Sequence, residues 1–345
     1  MRAAIFNGPR SVEVGDLPEP VIAAPTDALV RVVLACVCGS DLWPYRGEAE
    51  REPGAIGHEF IGVVEQVGAD ARSIAAGDFV IAPFAFSDGT CPHCRAGFQT
   101  ACVDGGFFGG DGLGGQAERV RVPQADGTLV KVPAGSYDDA TMRSLLALSD
   151  VMGTGHHAAV SAGVKPGDTV AVVGDGAVGL CAVLASKRLG AGRIIALSRN
   201  PARQALARTF GATDIVAERG NEAVEAVREL TDGVGVDAAL ECVGTNQSMK
   251  TALTIARPGS TVGAVGVPHG VEISINRMFY RNVGLKGGPA PVRHYMPELL
   301  DDVLAGRINP GLVFDFETDL EHVAEAYAAM DERRAIKSLI RVGKI

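Results

Sequence analysis

From residue 168 to residue 266 the chain alternates short apolar runs with longer amphipathic stretches, and this rhythm leaves few folds open. "DTVAVVG" (168–174) precedes "AVGLCAVLASKRLGA" (177–191), and "RIIALS" precedes "PARQALARTFGA". "DIV" precedes "NEAVEAVRELT", "VDAALECVG" precedes "SMKTALTIARPG", and "STVGAVG" closes the series. Continuous apolar runs suit strands buried on both faces, and the longer stretches carry apolar residues at helical spacing. Such alternation predicts a doubly wound parallel sheet, an α/β fold.

Within this series "VAVVGDGAVGL" sets Gly174, Gly176 and Gly179 between a strand and a helix. The first glycine permits the tight turn, the second lets a pyrophosphate approach the backbone, and the third packs helix on strand. The phosphates then rest on a helix N-terminus. With 44 glycines in the chain the motif alone is weak; its place between strand and helix gives it weight. A site for NAD normally ends its second strand in Asp or Glu, which bonds the ribose 2′-hydroxyl. Here Ser198 stands there, followed by Arg199 and then Arg203. Loss of the acid and gain of guanidinium groups suits a 2′-phosphate, so NADP(H) is expected over NAD(H).

Residues 1 to about 135 follow another rule. "LVRVVLACV", "FIGVVEQV", "DFVIA" and "AERVRV" are Val- and Ile-rich runs separated by Gly, Pro and Asp, as in an all-β barrel or sandwich. A length of 345 residues and two regimes point to two domains. A net charge of −9 without a basic run removes the electrostatic footprint of nucleic-acid or anionic-membrane binding. No apolar stretch reaches the ~20 residues of a membrane span, and the N-terminus does not read as a secretory signal. Seven cysteines, an odd number, favour a reducing compartment, so a cytoplasmic protein is expected.

"DGTCPHCRAGFQTAC" (88–102) holds Cys91, Cys94 and Cys102, three thiols where a closed structural zinc site needs four ligands. With "CVCGSDLW" (36–43), "GHEFIGVVEQVG" (57–68), "AAGDFVI" and the glycine loop, it resembles the zinc-dependent alcohol dehydrogenases of the medium-chain dehydrogenase/reductase superfamily. The resemblance implies a GroES-like β-barrel catalytic domain over 1–150, completed by 288–345, with a Rossmann domain at 151–287 and the active site in the cleft between them. It implies catalytic zinc on Cys38, His58 and Asp150, where many relatives carry cysteine in the third place. Glu59 matches the carboxylate close to the metal, and Ser40 the start of a proton relay. Trp43 replaces a relaying histidine, and an indole only donates; either protons leave by the cofactor ribose and water, or Trp43 walls an apolar substrate pocket with Phe84, Phe86, Phe107 and Phe108. Ala177, Val178, Val243, Val265 and Val267 join the cofactor's surroundings. Taken singly, Cys38 and His58 also read as core residues and Asp150 as a helix cap.

In that family the second zinc lobe is spaced C-x₂-C-x₂-C-x₇-C, and counting back from Cys102 through Cys94 and Cys91 reaches Asp88, with Gly97 on the family's glycine. An aspartate oxygen is a legitimate ligand; His93 is the competing donor, and a vacant lobe the remaining alternative. The expected activity is hydride transfer between NADP(H) and an alcohol or carbonyl compound with apolar groups. Rivals are an NAD-dependent polyol or threonine dehydrogenase, a zinc-free quinone or enoyl reductase, and a zinc-ribbon binding module. "GVEISIN" alternates apolar Val271, Ile273 and Ile275 as an edge strand would, and relatives pair such an edge into homodimers or homotetramers.

Overall fold

A computed structural model describes residues 1–110 and 112–344. The chain forms two compact units, Met1–Asp150 with Pro291–Ile345, and Val151–Ala290. The first unit is built on a seven-stranded sheet. Its long strand Ala28–Cys36 is buried along almost its whole length, because each face packs on apolar neighbours. Phe60–Val67 pairs with it antiparallel, and Arg119–Val122 pairs with its first half. The strand Lys337–Arg341 pairs antiparallel with the other half, at Leu34–Cys36, and parallel with Phe314–Asp319. Phe6, Val30, Phe60, Val80, Leu129 and Tyr327 lie in the core enclosed by these strands and the helix Val323–Asp331.

The second unit is a six-stranded sheet, and every strand pair in it is parallel. Thr169–Val173 lies between Arg193–Leu197 and Val236–Glu241, as the alternating runs predict. Valine, isoleucine, alanine and leucine fill these strands, and helices such as Val151–Ala162 and Ala177–Arg188 cover them. Residues 271–274, expected as an edge strand, are unpaired; Ser274 instead caps the helix Ile275–Arg281. The edge is formed by Gly284–Gly287, because the serine hydroxyl bonds the Arg277 N–H and starts a helix where the alternation suggested a strand.

At the opposite edge Arg193 opens one strand and bonds both carboxylate oxygens of Asp214, at 2.8 and 2.9 Å. That guanidinium holds the Asp214 carboxyl down at about 2. A depressed folded-state value adds stability above the unfolded value, and that stability fades as pH falls from about 4 to about 2. Because the pair is partly exposed, Asp214→Asn should cost only ~0.5–1 kcal/mol at pH 7. Thermal midpoints of the two proteins should converge across that acid window; a gap that persists unchanged would assign the loss to something other than the ion pair.

Candidate active site and metal centres

Cys38 ends the long strand's continuation and caps a short 3₁₀ turn, Gly39–Asp41. The turn swings Asp41 back so that one carboxylate oxygen accepts the Cys38 N–H at 3.0 Å. The other oxygen lies 3.4 Å from His58 Nδ1. One buried carboxylate thus fixes the Cys38 backbone and faces the His58 ring, the kind of support that ligand histidines usually have. His58 enters from the segment before Phe60–Val67. Gly57, at φ +90°, is required there, since a Cβ would come within 2.4 Å of the Gln116 side chain. Asp150 comes from the bend between the helices Asp139–Ala147 and Val151–Ala162. Its Oδ2 is 3.6 Å from Cys38 Sγ and 3.7 Å from His58 Nε2.

Donor atoms of Cys38, His58, Glu59 and Asp150 all lie within 4.8 Å of one another. Glu59 is differently engaged from Asp150. Its Oε1 accepts from Lys337 Nζ at 2.7 Å and its Oε2 from the Cys36 thiol at 3.2 Å. Lys337, only 1% exposed, also donates to the Val37 carbonyl at 3.1 Å. Burial and the nearby Glu59 carboxylate push the Cys38 thiol up. Burial alone would lower His58, but Asp41 and Cys38 outweigh it and raise the ring well above its usual range. The fold therefore packs acceptors together in a way that favours a cation between them. Thiolate, imidazole and carboxylate form a donor set that fits zinc.

Ser40 lies half-buried on the same 3₁₀ turn, and Trp43 half-buried on the following helix Leu42–Arg46. The four phenylalanines divide. Phe84 meets the His58 ring edge-on at 6.4 Å, and Phe107, 54% exposed, stacks on Phe84 at 6.0 Å. Phe108 instead packs against Phe60 and Phe86, turning that pair into the barrel core and away from the expected pocket wall.

In the second cluster Asp88, Cys91, Cys94 and Cys102 also bring their donor atoms within 4.8 Å. Asp88 Oδ1 accepts the N–H groups of Thr90 and Cys91, at 2.6 and 2.8 Å, so it is positioned before any ion binds. Cys91 and Cys102 sulfurs stand 3.9 Å apart. Burial and the hydrogen bonds that its S–H donates to Cys102, Cys91 and Asp88 push the Cys94 thiol up to about 12. His93, exposed on the short helix Pro92–Arg95, is outside the cluster.

In the second unit the glycine loop leads into the helix Ala177–Arg188, whose N-cap Gly176 offers no side chain to its first N–H groups. A Cβ on Gly176 would meet nothing within 4 Å, while one on Gly179 would stand 2.1 Å from the Gly174 carbonyl oxygen. Open space over unsatisfied N–H groups fits a dinucleotide pyrophosphate. Ala177 and Val178 form the first helical turn, and Val243, Val265 and Val267 follow the carboxyl ends of neighbouring strands. Arg199 is exposed; Ser198 and Arg203 are buried and turn to Asp175, which sequence reasoning passed over as the variable residue of the glycine motif. Asp41 and Lys337 were passed over too. The aspartate of G-S-D was a usable signal; nothing near Lys337 was.

Two family models match: the alcohol dehydrogenase GroES-like domain over residues 24–134, and zinc-binding dehydrogenase over 177–305. Zinc-type alcohol dehydrogenase B of Aspergillus flavus is 34% identical over 100% of this chain and 82% of its own. A probable zinc-binding alcohol dehydrogenase of Mycobacterium tuberculosis is 36% identical over 96% of this chain and 86% of its own. Among solved structures, alcohol dehydrogenase TADH from Thermus sp. ATN1 superimposes with a TM-score of 0.91 at 36% identity, over 99% of this chain and 100% of that one. The chain belongs to the zinc-dependent alcohol dehydrogenases of the medium-chain dehydrogenase/reductase superfamily. It is thus a zinc-type oxidoreductase with a GroES-like unit and a Rossmann unit, served by a nicotinamide cofactor.

Proposed function

We propose that the protein interconverts NADP(H)-linked secondary alcohols and ketones, or aldehydes, carrying apolar groups. The observation that carries this reading is the buried set of Cys38, His58 and Asp150, with the Phe84 ring beside His58 and Phe107 stacked on it. Zinc held by those three residues would supply Lewis acidity toward a substrate oxygen. The nicotinamide would exchange hydride with the substrate carbon. Asp41 fixes the Cys38 backbone and the His58 ring, and Lys337 and Cys36 occupy both oxygens of Glu59, which supports Asp150 as third ligand. Ser40 would take the substrate proton. Trp43 cannot pass it on, so the proton leaves by another route and the indole walls the pocket.

NADP(H) preference is supported by Ser198 in place of the usual acid and by Arg199 and Arg203 nearby. Asp88, Cys91, Cys94 and Cys102 would hold a second, structural zinc. Seven cysteines without a disulfide support a cytoplasmic setting, and no helix among the described residues is long and apolar enough to cross a membrane. Exposed Ile275, Phe279 and Tyr280 beside the edge strand Gly284–Gly287 support a homodimer or homotetramer.

The test is a panel of ketones and aldehydes assayed with NADPH and NADH, together with zinc per subunit. Arg199→Ala should weaken NADPH binding by about 1.5–3 kcal/mol and leave NADH binding nearly unchanged. A variant that keeps its full NADPH affinity removes Arg199 from the phosphate site, and a wild type that prefers NADH overturns the cofactor reading.

A further inference from the structure

We infer that Asp175 is a specificity-determining carboxylate, which supplies in space the acid that the second Rossmann strand lacks and makes the site accept NADH as well as NADPH. The inference rests on the dinucleotide site above but not on its preference for NADP(H).

Thr169–Val173 and Arg193–Leu197 are parallel neighbours, with Val173 opposite Leu197, so the residues just past each strand lie side by side. Asp175 follows the first of these strands and Ser198 the second. The Ser198 hydroxyl donates to Asp175 Oδ2 at 2.9 Å. The carboxylate thus stands one hydrogen bond from the side chain that occupies the place of the ribose-binding acid.

Arg203 is held to the same residue. Asn200 caps the helix Pro201–Phe210 and presents Arg203 in its first turn. From there Arg203 Nη1 donates to the Asp175 carbonyl at 3.1 Å, with Oδ1 at 3.5 Å. Arg203 is only 7% exposed and Ser198 only 4%, so neither is a loose surface group awaiting a phosphate. Two of the three residues expected to grip a 2′-phosphate are thereby engaged at Asp175, Ser198 by its carboxylate and Arg203 chiefly by its main-chain carbonyl. Arg199, exposed, is the base left facing solvent.

Charge sets the outcome. Arg199 and Arg203 against Asp175 leave one net positive charge, which attracts a 2′-phosphate, whereas the carboxylate itself is an acceptor for a 2′-hydroxyl. Removing that carboxylate's charge should take away its repulsion of a 2′-phosphate and its charged acceptor for the diol, while Arg203 keeps its bond to the Asp175 carbonyl. The two affinities then move in opposite directions.

The experiment is titration of the full-length protein with NADH and with NADPH, without substrate, by calorimetry or nucleotide fluorescence. Asp175→Asn keeps the shape and the Ser198 hydrogen bond, and should shift the NADPH-to-NADH affinity ratio toward NADPH by about tenfold or more. Asp175→Glu keeps the charge and should hold the ratio within about threefold of wild type, and Asp175→Ser is the second neutral variant if the Asn protein does not fold. Neutral variants that leave the ratio unchanged, or weaken both nucleotides equally, overturn the inference and reduce Asp175 to a scaffold. A wild type that binds NADH more tightly removes the NADP(H) reading alone, since the shift on neutralising Asp175 is still expected.

Discussion

Alanine in place of Cys38, His58 or Asp150 is expected to cut alcohol oxidation by at least about a thousandfold, since Lewis-acid assistance is worth several kcal/mol of transition-state stabilisation. Nucleotide binding should survive, because the glycine loop belongs to the other unit. Rate, NADPH affinity and zinc content must therefore be read on the same preparation. Asp150 is the informative position. Its carboxylate lies within 3.7 Å of both Cys38 and His58, whereas both oxygens of Glu59 are engaged elsewhere. An Asp150→Ala protein that retains catalytic zinc and normal turnover would shift the third-ligand role to Glu59 and require Lys337 to release it.

The second large effect concerns the Asp88–Cys102 loop. Wild type should carry two zincs per chain, and Asp88→Ala one, with a clear fall in thermal midpoint, because metal bound only by the folded loop adds directly to its stability. His93→Ala should change neither, as the imidazole is outside the cluster. Zinc uptake at this lobe should also release protons, since the Cys94 thiol, pushed up to about 12, must ionise to bind. One zinc per chain in metal-replete wild type would make the lobe a remnant.

The Rossmann unit was legible because its information is local: apolar runs, helical spacing and three glycines lie within neighbouring residues. Cys38 and His58 were legible as candidate ligands through the C-G-S-D and G-H-E stretches, although no spacing along the chain brings Cys38 to Asp150. What stayed hidden is long-range pairing. Lys337 looks like an ordinary lysine at a strand start, and only the fold buries it against Glu59. Asp175 reads as filler between glycines, and only the pairing of neighbouring strands sets its carboxylate against Ser198. "GVEISIN" misled because alternation says nothing of a serine cap that begins a helix.

The placement of Lys337–Arg341 inside the first unit's sheet bears on synthesis. Glu59 leaves the ribosome 278 residues before the ammonium group that neutralises it. At about 5–20 residues per second, that interval is roughly 14 to 56 s. Throughout it, Leu34–Cys36 has no partner on the side that Lys337–Arg341 will fill. Val151–Ala290 is contiguous and emerges whole within the same interval. Translation therefore delivers the second unit complete while the first, begun earlier, still has an open sheet edge and a Glu59 carboxylate without its ammonium partner.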